Sequence, residues 1–437
     1  MRLLMVILAF NFIILIHELG HFIVAKLAGI KVDEFSLFIG PKIFSFKRGE
    51  TTYSLRTFPL LAYVKMEGEG EESDDERAFC KKPVWVRAAV IAAGPLANII
   101  SAFIIIAVLY GISGYGTTIV SDVAEDSPAY EAGIRPGDKI ISYDGKKVFQ
   151  YIEFLNFLYV SKGKPTKIEI EREVVVDGKK ERERKVLPVI PEIIPGEQYI
   201  IGFTIQDEGN SNVVGKLSED GPGIEAGLLV GDKIVKLNDK EVSNIDEIRS
   251  FMRENKENPI RVTVEREGYS EPFEINITPK KIVGEDNYYV GVAFAMEKGE
   301  NFFDVIKHAG IFTFSNARMV PISLGWLITG KVSFANMAGP VGIGSVMNEA
   351  VQDVPIGSAI LRLLELTALI SVAIGATNLV PFPALDGSKL VVLGIEAVRK
   401  KPIPVEKEAL VMTIGFFILI GLAILITTND IINLVRG

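Results

Sequence analysis

The sequence predicts a polytopic α-helical membrane protein of about four spans, with two β-rich domains inserted between the second and third. Three observations carry this. The 437 residues are 48% apolar with a mean hydropathy of +0.30, which places the chain among membrane proteins. Four apolar segments, at about 3–27, 86–113, 359–380 and 408–427, each approach the twenty or so residues a helix needs to cross a bilayer. Between the second and third, residues 115–295 become charged, glycine-punctuated and strand-rich, and they repeat internally.

A net charge of −8 leaves no basic footprint, so nucleic-acid binding is excluded as a class. The single cysteine, Cys80, rules out both an intramolecular disulfide framework and a cysteine-based zinc site. The first apolar run lacks a small-residue cleavage site after a short core, so it reads as a retained span rather than a signal peptide. Lys and Arg are rich in the loops Lys26 to Arg87 and Lys389 to Lys407. Positive-inside bias therefore puts both loops in the cytoplasm, and both termini and the middle region outside.

The first span carries His17-Glu18-Leu19-Gly20-His21. Ionisable groups inside an apolar span are costly and by default mark a functional site. Residues four apart share a helix face. His17 and His21 can thus reach one tetrahedral zinc, with Glu18 beside them to take a proton from zinc-bound water.

In the following loop, 41–66 alternates in a strand-like way, with a turn at Lys47-Arg48-Gly49-Glu50. Edge addition of an extended substrate, membrane re-entrance and cytoplasmic packing all fit that pattern. The acidic run Glu67 to Glu76 reads as a solvated loop. The second span contains Ala93-Gly94-Pro95-Leu96-Ala97-Asn98, small residues that permit close helix approach. Asn98 is placed for an interhelical hydrogen bond near the histidines.

The repeat aligns Ser127 to Ile140 with Gly221 to Ile234, and Ile168 to Glu173 with Val262 to Glu267, at a constant offset of 94 residues. Each copy resembles a PDZ domain, whose short helix reads SPAxxAGLxxGD. That resemblance implies peptide capture by strand addition or a gating role. Ile201 to Ile205 and Val290 to Phe294 are candidate closing strands, each carrying a glycine, Gly202 and Gly291. Phe302 to Leu327 mixes apolar residues with Lys307, His308, Asn316 and Arg318, which suggests an amphipathic helix on the outer membrane surface. There His308 is a poor zinc ligand.

A hydrolytic zinc takes three protein ligands plus water, so a carboxylate supplies the third. Glu365 falls in the outer half of the third span. Asp386 falls at the cytoplasmic end, at the depth of the histidines, where Pro381 and Pro383 break the helix. Asp386 is the better ligand, and Glu365 is assigned an interhelical contact.

His17 to His21, together with Asn378-Leu379-Val380-Pro381-Phe382-Pro383-Ala384-Leu385-Asp386-Gly387, resembles the site-2 protease family of intramembrane zinc metalloproteases. Four spans with tandem PDZ domains resemble its bacterial RseP type. By that resemblance His17, His21 and Asp386 bind Zn2+ and Glu18 is the catalytic base. Asn378 and the strand loop around Tyr63 and Val64 hold the substrate backbone. The resemblance further implies a bacterial inner-membrane protein whose substrates are single-span anti-sigma factors after a first cut, and remnant signal peptides. Two departures bear on loop geometry: Ser388 stands where the family has a second glycine, and Leu61-Ala62 replace its Gly-Gly. The expected domains are 1–114, 115–199, 200–298, 299–358 and 359–437. A membrane-anchored PDZ scaffold with a dead metal site is the alternative, with a transporter behind it.

Overall fold

The computed structural model describes residues 2–436 except 177, 206–210, 219–220, 284–285 and 353. Within them the α-helices are, in chain order, α1 (Arg2–Leu27), α2 (Val84–Ser113), α3 (Pro128–Glu131), α4 (Tyr151–Ser161), α5 (Pro222–Glu225), α6 (Ile245–Asn255), α7 (Phe302–Ile328), α8 (Pro340–Val351), α9 (Ile356–Asn378), α10 (Asp386–Arg399) and α11 (Val405–Arg436). Four of these, α1, α2, α9 and α11, are long and apolar enough to cross a bilayer. Helix α2 is the hub, packing on α1, α7, α9 and α10.

Its approach to α1 depends on two glycines. A Cβ on Gly20 would fall 2.3 Å from the Ala93 carbonyl oxygen, and one on Gly94 would fall 2.2 Å from the His21 ring. Small residues at both positions let the backbones close until His21 lies against α2. This is the membrane use of small residues, where van der Waals packing replaces a hydrophobic driving force.

After α1 the chain forms strands Val32–Arg48 and Thr51–Met66, joined by a turn at Gly49-Glu50. Phe35 is registered against both Tyr53 and Val64, so the run 62–66 lies outermost, beside α1. Glu34 collects Ser54, Arg56 (3.0 Å) and Lys42 (3.2 Å). Burial pushes its carboxyl up, but these donors outweigh it and hold Glu34 at about 2, against an ordinary 4.5.

The two repeats fold alike. Asp138 takes a two-pronged contact from Arg172 at 2.6 and 2.7 Å, and Asp232 takes the same from Arg266 at 2.6 and 2.8 Å. Both aspartates are buried and also accept a backbone N–H, from Arg135 and Leu229. Breaking one such buried pair would strand a charge, so each copy is pinned at its glycine-rich loop.

Their connection differs from the expected one. Strand Phe203–Ile205 pairs with Val214–Leu217, inside the second copy. Strand Val292–Glu297 pairs with Tyr115–Val123, inside the first. The first of these candidate strands thus lies in the second copy, the later one completes the first copy, and the second copy is inserted into the first. Two short ribbons, 192–194 with 287–289 and 197–200 with 280–283, form the stalk. The boundary expected between 199 and 200 separates consecutive segments, but 290–297 belongs with 115–189 in space. Local pattern marks a strand; which edge it joins depends on tertiary contacts.

Helix α7 touches both parts. Its Ala309 is buried among Ala102, Ile106, Ala368 and Val372 of α2 and α9. Further along, Trp326 meets Phe157 edge-on at 5.8 Å, and Arg318 bonds the fully buried Glu153 at 2.7 Å. The acidic loop is only partly solvated as expected: Lys31 holds Glu67 at 2.9 Å and Asp75 at 3.4 Å, and Lys389 holds Glu69 at 2.9 Å.

Because the folded value of Glu34 is depressed, its stabilisation is complete above about pH 4.5 and lost as pH falls towards 2. Hydrogen exchange of residues 51–58 should accelerate across that window, and Glu34→Gln should remove the pH dependence while weakening the sheet at neutral pH. Ala293 is registered opposite Asp122. With Cys80 replaced, Asp122→Cys and Ala293→Cys together should form a disulfide on mild oxidation; failure to cross-link would refute the insertion.

Candidate metal centre

Helix α1 places His17 and His21 on one face, and the chain returns much later through a proline-broken turn to begin α10 at Asp386. That turn is tight. Ala384 has φ +78°, and a Cβ on Gly387 would sit 2.3 Å from the Val380 carbonyl oxygen. The site on α1 and the aspartate meet as a result. His17 Nε2 lies 3.2 Å from His21 Nε2 and 3.2 Å from Asp386 Oδ2, and His21 Nε2 lies 3.4 Å from the same oxygen.

The hydrogen-bond pattern identifies what these atoms offer. His21 Nδ1 is 2.8 Å from the Val90 carbonyl oxygen, which can only accept, so Nδ1 carries the proton and a neutral ring presents a lone pair at Nε2. His17 Nδ1 faces the Asn98 amide at 3.5 Å. Asn98 Oδ1 is buried without a hydrogen-bond partner. Turning the amide over brings Oδ1 to His17 Nδ1, where it accepts a hydrogen bond from that ring's N–H and leaves Nε2 as a second lone pair. Asp386 Oδ2, also buried and unpartnered, supplies the third.

Three lone pairs converging at this spacing repel one another unless a cation lies between them. Tetrahedral bonds of about 2.0–2.1 Å separate donor atoms by roughly 3.3–3.4 Å, so the triangle has the edge lengths that zinc requires. Among the described residues these three are the one group of histidine, cysteine or carboxylate side chains able to hold a metal ion.

Glu18 accepts a hydrogen bond from the Val64 backbone N–H at 3.1 Å, so the outer strand run and the α1 carboxylate touch. Tyr63 lies beside it, with the Arg56 guanidinium 5.5 Å from its ring centre. Asn378 ends α9, half-buried. His308 stacks on Tyr115 at 3.9 Å, away from the cluster. Glu365 lies on an exposed part of α9, within electrostatic reach of Tyr110 on α2. Ser388 donates to the Leu385 carbonyl at 2.7 Å, so the departure from glycine is absorbed by the turn.

One residue near the α11 terminus was missed in the sequence. Asp430 is buried and accepts the N–H groups of Gly339 at 3.1 Å and Gly342 at 2.8 Å, fastening the start of α8 to the last span. A buried carboxylate is costly unless it is hydrogen-bonded, and two charge-assisted bonds of about 1.5–3 kcal/mol each offset that cost. An acidic residue in an apolar run was a findable cue, but its partners were not.

Comparison with known proteins matches residues 5–422 to peptidase family M50. A zinc metalloprotease RasP of Geobacillus kaustophilus is 31% identical, over 97% of this chain and 96% of its own. A putative zinc metalloprotease of Clostridium perfringens is 30% identical over 99% of both chains. The regulator of sigma-W protease RasP of Bacillus subtilis is 29% identical over 97% of both.

Asn98→Ala should lower zinc affinity about 10- to 100-fold, the usual effect of losing a partner that orients a ligating histidine. Asn98→Asp, which keeps an acceptor, should lose less. Zinc retention against a competing chelator reads both; equal losses would remove the proposed acceptor role.

Proposed function

The chain belongs to peptidase family M50, the site-2 protease family of zinc metalloproteases, and from that premise we propose that it cleaves single-span membrane proteins within or near their spans. The observation that supports this best is the meeting of His17, His21 and Asp386 at metal-binding distances, with Glu18 adjacent in sequence. Those three residues would hold the zinc, which would supply Lewis-acid polarisation of a peptide carbonyl and acidify water towards neutral pH.

Glu18 accepts that proton and returns it to the leaving amine, the two halves of general base and acid work. A helical substrate hides its carbonyls in internal hydrogen bonds, so it must unwind before attack. The run 62–66 is an outermost strand along which an extended segment can add, taking over the Val64 N–H that Glu18 accepts in its absence. Asn378 supplies an amide at the end of α9, on the approach to Asp386. Such contacts replace part of what the substrate helix gives up.

The two β-rich copies, read as PDZ domains, stand on the outer face and exclude substrates whose outer part has not been trimmed. Helix α7 lies along the outer membrane surface beneath the first copy, through Arg318 and Trp326. The protein is placed in the bacterial inner membrane, with the metal centre towards the cytoplasm. Its substrates are of the anti-sigma factor type after a first cut, or remnant signal peptides; a protein named for regulating sigma-W is among its relatives. Bilayer lipid is its other partner, and nucleic acid is not one.

Glu18→Gln should keep zinc and lose about 10²- to 10⁴-fold in cleavage of a single-span substrate, the range for a lost general base. Asp386→Ala should lose both metal and activity. Metal analysis beside a cleavage assay checks the pair. Wild-type cleavage by Glu18→Gln would overturn the assignment of the base, and zinc binding without any cleavage by the unaltered protein would favour the scaffold.

A further inference from the structure

Beside α10 a cavity of about 770 Å³ opens between the loop after Met66, the start of α2 and the first turns of α11. Its floor is apolar, with Ile91, Leu393 and Met412. Its rim is charged and unevenly paired. Lys389 is taken by Glu69, and Arg87 by Glu396. Glu71, Glu72, Asp74 and Glu408 remain, none in an ion pair among the described residues, against the single cation Lys81. Glu71, Glu72 and Asp74 are exposed, so their charges face whatever enters.

The cavity wall adjoins the metal centre at two places. Lys389 stands one helical turn beyond Asp386, and Met412 Sδ is 3.3 Å from both Ser388 Oγ and the Ala384 N–H nitrogen. The run 62–66, whose Val64 bonds Glu18, continues through Met66 directly into the cavity wall at Gly68. A chain laid along that run enters the cavity within about two to six residues, at roughly 3.3 Å per extended residue.

We infer that this cavity receives the substrate stretch next to the cleaved segment on its cytoplasmic side, and that it selects an extended stretch rich in lysine and arginine. The inference rests on the protease reading above and on the orientation given with it. Charge complementarity commits the occupant. Single-span proteins and signal peptides carry their excess Lys and Arg on the cytoplasmic flank. An anionic lipid headgroup would be repelled by the same rim. The long stems of those side chains also suit an apolar floor with a charged edge.

The test uses full-length protein and single-span substrates identical except for a cytoplasmic flank of Lys, Gln or Glu. The Lys flank should give the lowest KM, by about fivefold to thirtyfold over Glu, as several rim-exposed ion pairs allow. kcat should change little, and the preference should fade as salt rises. Glu71→Lys, Glu72→Lys and Asp74→Lys combined should reverse the order. Glu408→Gln alone, a milder change, should narrow it.

Cleavage that depends on Glu18 but ignores flank charge at low salt would overturn this inference and leave the protease reading standing. A preference retained by the triple variant would also overturn it. Cleavage independent of Glu18 would instead overturn the reading of the centre itself.

Discussion

Three electron-rich atoms from opposite ends of the chain face one another in a partly shielded pocket, and the rest of the membrane part is arranged to keep them there. Without a cation, the imidazole lone pairs and the aspartate oxygen at 3.2–3.4 Å would push the helices apart. With one, the same atoms become a clamp between α1 and α10. Around them, hydrogen-bond partners decide which ring nitrogen faces inward. Val90 does so for His21 and Asn98 for His17.

That clamp requires backbones closer than ordinary side chains permit. Gly20 and Gly94 allow α1 and α2 to touch, and Gly375 brings α9 within reach of the Pro95 carbonyl. The last span is held differently. Few of its residues are buried, and it is tied at one end through Met412 and Pro383 and at the other through Asp430. A site assembled from elements with such unequal packing keeps its candidate metal-binding residues on the well-packed helices and on the turn that α11 supports.

Outside the membrane the second copy hangs from the first through two short ribbons, while the first copy rests on α7 and so on α2 and α9. The strand that completes the first copy leads straight into α7. A change in that strand therefore has a short covalent route to the helices beside the metal.

The spans, the repeat and the histidine spacing were legible because each is a local or periodic property: twenty apolar residues, a fixed offset, positions four apart on a helix. Asp386 was reachable only by weighing depth and broken helix, and its distance to the rings is a tertiary fact. The return of strand Val292–Glu297 to the first copy, the pinning of the acidic loop by Lys31 and Lys389, and the capping of α8 by Asp430 were not readable. Each pairs groups far apart in the chain whose residue types are common, so no local pattern distinguishes the true partner from many others. Sequence alone determined which chemistry the chain could carry; the close approach of helices and the closure of long loops decided which residues came together to carry it.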